Sequence, residues 1–214
     1  MYIPKHFEET DKQTLVKFMR EFNFAALVNY SKNKPWATHL PFIILEDGNE
    51  IVLKAHMAKA NPQWKNMQNP QEVLVIFQEP HAYISPSLYE NKVSVPTWNY
   101  IAVRAYGIPH LYSTTDEKIV LLELSFEHFE SKYKEQWKTL PDGYRNELLD
   151  GIVGFEIKVT NLDGKFKLSQ NRTESDRERI ITSLENSKDK TKIDIAEQMK
   201  QRKNDNNEEN LIIP

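Results

Sequence analysis

The stretch WATHLPFIILEDGNEIVLKAH, residues 36–56, narrows the choice of fold more than any other part of the chain. Two apolar, β-branched runs flank an Asp47-Gly48 pair, and Asp-Gly is favoured where a chain reverses in two residues between antiparallel strands. With Asp47 and Gly48 as the central turn residues, Leu40 faces Ala55, Phe42 faces Leu53, Ile44 faces Ile51, and His39 faces His56. Side chains two apart on a strand point the same way. Leu40, Phe42, Ile44, Ile51, Leu53 and Ala55 therefore share a dry core face. The opposite face carries His39, Pro41, Ile43, Val52, Lys54 and His56.

Other segments extend this β-rich reading. FAALVNY (24–30) reads as a strand leading into a turn at SKNKP, and EVLVIF (72–77) and HAYIS (81–85) read as two more. SVPTWNYIAVRAYGIPHLY (94–112) is the longest strand candidate, and GIVGFEIKVTNLDGKFKLSQ (151–170) returns to strands with a turn at Asp163-Gly164. Helical spacing of Leu15, Phe18, Met19 and Phe22 behind a Thr10/Gln13 capping box predicts a helix over 8–22. Further helices are predicted over 116–133, in PDGYRNELLD and in TESDRERIITSLEN. Asn61 followed by Pro62 is a helix start, with free backbone N–H groups expected near Lys59 to Gln63. The absence of regular β-helix-β alternation points to an α+β protein built around an antiparallel barrel or sheet. The expected organisation is one domain over 1–186 and a charged, partly helical tail over 187–214, whose apolar content is Ile193, Ile195, Ala196 and Met199.

Composition excludes several chemistries. Zero cysteines remove disulfides, thiolate catalysis and cysteine-ligated metals. The six glycines form neither GxGxxG nor GxxxxGK[ST], so Rossmann and P-loop phosphate cradles are ruled out. No HExxH motif accompanies His39 and His56, and no third ligand can be placed, so no metal is assigned. Ser85, Ser94 and Ser169 lie outside any GxSxG context, and no catalytic residue is assigned. No apolar run reaches membrane-span length and the start lacks a leader pattern, so the expected location is cytoplasmic, without a membrane. A net charge of −3 argues against a broadly basic nucleic-acid-binding body. The basic-leaning segment 188–203 is the one nominated for DNA, against its reading as a solvated surface helix.

Two segments suit a specific ligand chemistry. In GKFKLSQNR (164–172), a strand would align Lys165, Lys167, Ser169 and Asn171 as one row of donors with two positive charges, opposite Phe166 and Leu168. Such a row suits an anion such as phosphate as well as a plain solvated face. Trp98-Asn99-Tyr100 combines flat rings with an amide, which suits a planar heterocycle. An anion and a flat ring together describe flavin mononucleotide, FMN.

The segments ATHLP (37–41), AHMAKANPQW (55–64), FQEPHAYISPSLY (77–89), VPTWNY (95–100) and GKFKLSQNR, with the opening MYIPKHF, resemble the PaiB family in order and spacing from residue 1 to residue 184. That family is described as FMN-binding negative transcriptional regulators. The resemblance implies an antiparallel split β-barrel of the FMN-binding type with flanking helices, forming a homodimer with the flavin between subunits. It maps the family's polar segments onto His39; onto His56, Lys59, Ala60 and Asn61; onto Trp98, Asn99 and Tyr100; and onto Lys165, Lys167, Ser169 and Gln170. Lys59, the N–H groups near Asn61 and one of the later lysines are expected at the phosphate. Trp98, Asn99 and Tyr100 are expected at the ring or the dimer contact. The implied function is repression of transcription, through DNA directly or through another protein. The alternatives are an FMN-dependent oxidoreductase of the split-barrel type and a dimeric scaffold without flavin. Glu79, Arg104, Lys59 and Leu88 stand where Gly, His, Arg and Trp are common in the family. Lys59 keeps the charge without the planar fork of arginine.

Overall fold

The computed structural model describes residues 1–69 and 71–209. Its first half runs β1 (Glu8–Glu9), α1 (Lys12–Glu21), β2 (Phe24–Ser31), β3 (Lys34–Pro41), β4 (Ile43–Asp47), β5 (Glu50–Ala58) and β6 (Val73–Ile84). The second runs β7 (Thr97–Leu111), α2 (Thr115–Phe129), α3 (Tyr133–Thr139), α4 (Asp142–Asp150), β8 (Ile152–Lys167), α5 (Glu174–Glu185) and α6 (Lys190–Glu209). The strands form one antiparallel sheet ordered β3-β2-β6-β7-β8-β5-β4, with β1 on β8, and among the described residues it does not close. This is the expected α+β split barrel with flanking helices. The chain divides into two compact units. Unit 1 comprises Met1–Asp11, Gln78–Val103 and the chain from Asp163, and unit 2 comprises Lys12–Phe77 and Arg104–Leu162.

In unit 2 the hairpins form where residues tolerate a left-handed backbone. Lys32 and Asn33, at φ 49° and 59°, turn β2 into β3 as a type I′ turn requires. Between β4 and β5 the central residues are Gly48, at φ 58°, and Asn49, because Asp47 faces Glu50. Ile44 consequently faces Leu53 and not Ile51, so the register is two residues away from the predicted one. A shift of two keeps every side chain on its face, whereas a shift of one would invert them all. Leu40, Phe42, Ile44, Ile51, Leu53 and Ala55 are all buried as expected.

The predicted strand over 36–45 breaks at Phe42, whose N–H donates to the Asn23 carbonyl at 2.9 Å. Before the break β3 pairs with β2, and after it β4 pairs with β5. His39 is thereby placed opposite Ala26, and His56 opposite Gly154 on β8, so the two histidines are not cross-strand partners. The rings of Phe77 and Phe155 pack edge-on to Phe42 at 6.0 and 6.4 Å, fixing the core of this unit. Helix α2 starts on a complete capping box between Thr114 and Glu117. The short α3, not foreseen from sequence, brings Trp137 against Phe126 at 5.4 Å over a small core with Leu122 and Leu149.

In unit 1 the predicted turn at Asp163-Gly164 is absent. Gly164 pairs with Glu9 and Lys165 with Glu8, so β1 holds this part of β8 extended. Helix α1 starts at Lys12 rather than residue 8 for the same reason. The segments at 72–77 and 81–85 are one continuous strand, β6, and β8, with 16 residues, exceeds β7, with 15. Helix α6 packs on α5 and fully buries Ile195, Ala196 and Met199. Arg202 pairs with Glu9, Lys200 with Glu185 and Lys190 with Asp194. Residues 210–214 of the predicted tail lie outside the described residues.

Candidate functional site

In unit 1, β8 ends at Lys167 and the chain turns through Ser169, whose φ is 60°. Gln170 closes this turn: its Oε1 accepts from the Leu168 N–H at 2.7 Å and its Nε2 donates to the Phe166 carbonyl. The predicted row of four donors is therefore two lysines followed by a turn. Ser169 is buried and donates from Oγ to Asn99 Oδ1 at 3.0 Å. Asn99, fully buried, donates from Nδ2 to Met199 Sδ on α6 at 3.5 Å. The Asn99 and Gln170 amides and the Ser169 hydroxyl are thus spent on holding β7, the turn and α6 together, while Asn171 is exposed.

The lysines and the aromatic rings remain. Alternation along β7 sends Trp98 and Tyr100 to the face opposite Asn99, with Trp98 exposed and Tyr100 half-buried. Lys165 Nζ donates to the Tyr2 carbonyl at 3.2 Å and sits 5.3 Å from the Tyr100 ring centre. Lys167 Nζ donates to Thr97 Oγ1 and lies 5.8 Å from the Phe7 ring centre. Neither lysine pairs with a carboxylate among the described residues. Burial pulls the pKa of Lys167 below the usual lysine value, and the charges of Lys165 and Arg172 lower it further. Tyr83 meets Trp98 edge-on at 5.8 Å, and His81 lies 6.0 Å from the same indole. Two cations with no carboxylate partner among the described residues, beside the half-buried Tyr100 and the buried Phe7, suit a phosphate, and the exposed Trp98 on the same face of β7 as Tyr100 suits a flat ring system; FMN carries both.

In unit 2 the remaining candidates have other surroundings. His39 is exposed and stacks on Phe24 at 6.1 Å. Lys59 and Ala60 lie in the exposed turn after β5. The Lys59 N–H donates to the Gly151 carbonyl, the Asn61 N–H to the Ala58 carbonyl, and the Gln63 N–H to Asn61 Oδ1. Three of the N–H groups expected to be free, those of Lys59, Asn61 and Gln63, are therefore taken, and the helix after Asn61 is a six-residue 3-10 segment, Pro62–Met67. Sequence reasoning overlooked Gln63, which is fully buried and reaches Leu27, Trp36 and Thr38. It also overlooked Glu156, which accepts from Tyr112 Oη at 3.1 Å and meets Lys54 at 3.3 Å. Burial, with the Glu156 carboxylate, drives the Tyr112 pKa far above the usual phenol value.

His56 is half-buried, and that burial lowers its pKa below 6.5. The unfolded chain then takes up a proton in a range where the folded protein does not. This contribution to stability is complete above 6.5 and declines as the pH falls from there through the lower folded value. His56→Gln cannot titrate, so its loss of melting temperature between about pH 7.5 and about pH 5.5 is expected to be smaller than that of the wild type. Equal losses would show that His56 stays neutral without cost.

Residues 1–161 match a family model described as "Putative FMN-binding domain". The protease synthase and sporulation protein PAI 2 of Bacillus subtilis is 39% identical over 202 residues, covering 93% of this chain and 96% of that one. An uncharacterized protein of Emericella nidulans is 34% identical over 188 residues, covering 70% and 75%. Among solved structures, the flavocytochrome Anf3 from Azotobacter vinelandii superposes with a TM-score of 0.60 at 12% identity, covering 77% of this chain and 72% of that one. The FAD and heme binding protein from Mycobacterium smegmatis gives 0.58 at 13% identity, covering 75% and 73%. At such identities the two structures speak for the fold alone. On the family match and the close bacterial relative, the chain belongs to the PaiB family of FMN-binding proteins, and FMN is its cofactor.

Proposed function

We propose that this protein is a cytoplasmic, homodimeric regulator that lowers transcription and carries FMN. In this reading Lys165 and Lys167 hold the phosphate, and Trp98 and Tyr100 lie against the ring. The observation that carries it is the pair of lysines in unit 1 whose partners are rings, a hydroxyl and a carbonyl, with no carboxylate among the described residues. FMN, when bound, supplies a redox-active ring system. The chain's own contribution is to bind and orient: Asn99, Ser169 and Gln170 fix the turn that presents the cations.

A second copy is supported as partner by the apolar groups that unit 1 exposes, with Tyr83 46%, Trp98 52%, Val95 72% and Val93 91% accessible. Regulation through another protein is favoured over DNA contact by α6. The apolar face of that helix is buried, and its Lys190, Lys200 and Arg202 already face acidic partners. The test is the visible spectrum of the purified protein after addition of FMN and removal of the excess, combined with its mass in solution. A retained flavin spectrum on a dimer is the expected result; a colourless protein would remove the cofactor role, and a monomer the dimer.

A further inference from the structure

The turn after β8 delivers a third cation, Arg172, whose N–H donates to the Ser169 carbonyl at 3.0 Å. Its guanidinium carbon sits over the Tyr89 ring at 4.0 Å from the centroid, and Tyr89 is only 1% exposed. The platform is therefore rigid. The Tyr89 hydroxyl is buried without a hydrogen-bond partner among the described residues, so the ring serves as a surface and not as a polar contact.

Carboxylates that could neutralise Arg172 are engaged elsewhere. Helix α5 begins two residues later, and its first turn carries Glu174 and Asp176. Glu174 faces Arg177 at 3.6 Å, while Asp176 pairs with Arg179 and accepts the Glu90 N–H at 2.8 Å. Arg172 makes no ion pair among the described residues. Its charge lowers the pKa of Lys167, as does that of Lys165, so the three cations share one neighbourhood, and none of them makes an ion pair among the described residues. The start of α5 adds the positive end of a helix dipole to the same region.

Lysines are point charges, and they bind a phosphate without reading its shape. A guanidinium anchored over a buried ring presents parallel N–H donors that match two oxygens of a phosphate monoester. We propose that Arg172 is the specificity-determining residue of the unit 1 site, making it selective for a phosphate monoester over the uncharged parent compound. This rests on the FMN reading above. It goes further by naming the group that separates FMN from riboflavin, which shares the ring system and lacks the phosphate.

The experiment is calorimetric titration of the full-length wild type, Arg172→Lys and Arg172→Ala with FMN and, separately, with riboflavin. Arg172→Ala is expected to weaken FMN about 30-fold and leave riboflavin within about twofold. Arg172→Lys keeps the charge over Tyr89 and is expected to recover only part of the loss. Equal weakening of both flavins would mean a structural role for Arg172, and unchanged FMN affinity would mean none; either overturns the proposal. Thermal stabilisation by inorganic phosphate, measured on the same three proteins, separates the two ideas. A wild type that binds neither flavin but is stabilised by phosphate through Arg172 would retain the anion site and remove FMN from it. A wild type that responds to neither would remove both.

Discussion

Replacing Gln63 by leucine lowers the melting temperature by about 10 °C, the loss expected for about 3 kcal/mol in a protein of this size. Gln63 is completely buried inside the 3-10 segment Pro62–Met67. Its Nε2 donates to the Leu27 carbonyl at 3.0 Å and to the Trp36 carbonyl at 3.4 Å, and its Oε1 accepts from the Thr38 hydroxyl. Thr38 in turn accepts from Asn61 Nδ2 at 2.9 Å, and Asn61 caps the segment. One side chain therefore ties the 3-10 segment to both strands of the β2–β3 hairpin. Leucine has nearly the same bulk, so the substitution opens little cavity and isolates the polar contribution. Each abandoned partner keeps its desolvation without its hydrogen bond. Thr38→Val alone should cost less, and adding it to Gln63→Leu should cost little more, because the two share a bond. A melting temperature within about 2 °C of wild type for Gln63→Leu would show that water replaces the amide and that the segment docks by other means.

The contrast between Gln63 and the residues beside it shows what the sequence could and could not disclose. Asn61-Pro62 was readable as a helix start because capping is local: Asn61 Oδ1 accepts from a residue two positions on. The partners of Gln63 are 25 to 36 residues away, and no local pattern reports them. The β-rich middle was legible for the same reason as the cap, since alternation is written residue by residue. Its register was not, because Asp47-Gly48 and Gly48-Asn49 both offer a left-handed glycine and the choice between them rests on strand pairing. The buried face survived the error because side chains repeat every two residues. The split-barrel class and FMN came from five separated motifs read together, whereas the roles inside GKFKLSQNR depended on one dihedral angle. With Ser169 at φ 60° the strand ends three residues early, and a supposed donor row becomes two lysines and a latch.

Those two lysines give the largest expected functional effect. Lys165→Ala combined with Lys167→Ala should weaken FMN by two to three orders of magnitude, about 3–4 kcal/mol for two charge-assisted contacts in a half-buried setting. Riboflavin, without the phosphate, should be little affected, and FMN affinity in the wild type should fall as salt is added. The same substitutions act in the opposite direction on the protein without ligand. Lys167 is held below its ordinary pKa by burial first and by its two cationic neighbours next, so its charge is a cost to the fold. Below the folded pKa of Lys167 the cluster repels itself. Above it Lys167 is neutral and the repulsion is relieved, but the phosphate contact is weakened as well. FMN binding should therefore decline with alkaline pH earlier than an ordinary lysine would dictate, and the doubly substituted protein should lack that decline. Its melting temperature without FMN should equal or exceed that of the wild type, since a ligand site that stores unbalanced charge does so at the expense of stability. Titration with FMN and riboflavin at two pH values, with thermal unfolding of both proteins, decides the matter. A variant that binds FMN as the wild type does would mean that the phosphate lies elsewhere. A variant that loses both flavins and melts lower would mean that the lysines hold the fold through Tyr2, Phe7, Thr97 and Tyr100 and leave the ligand to other groups.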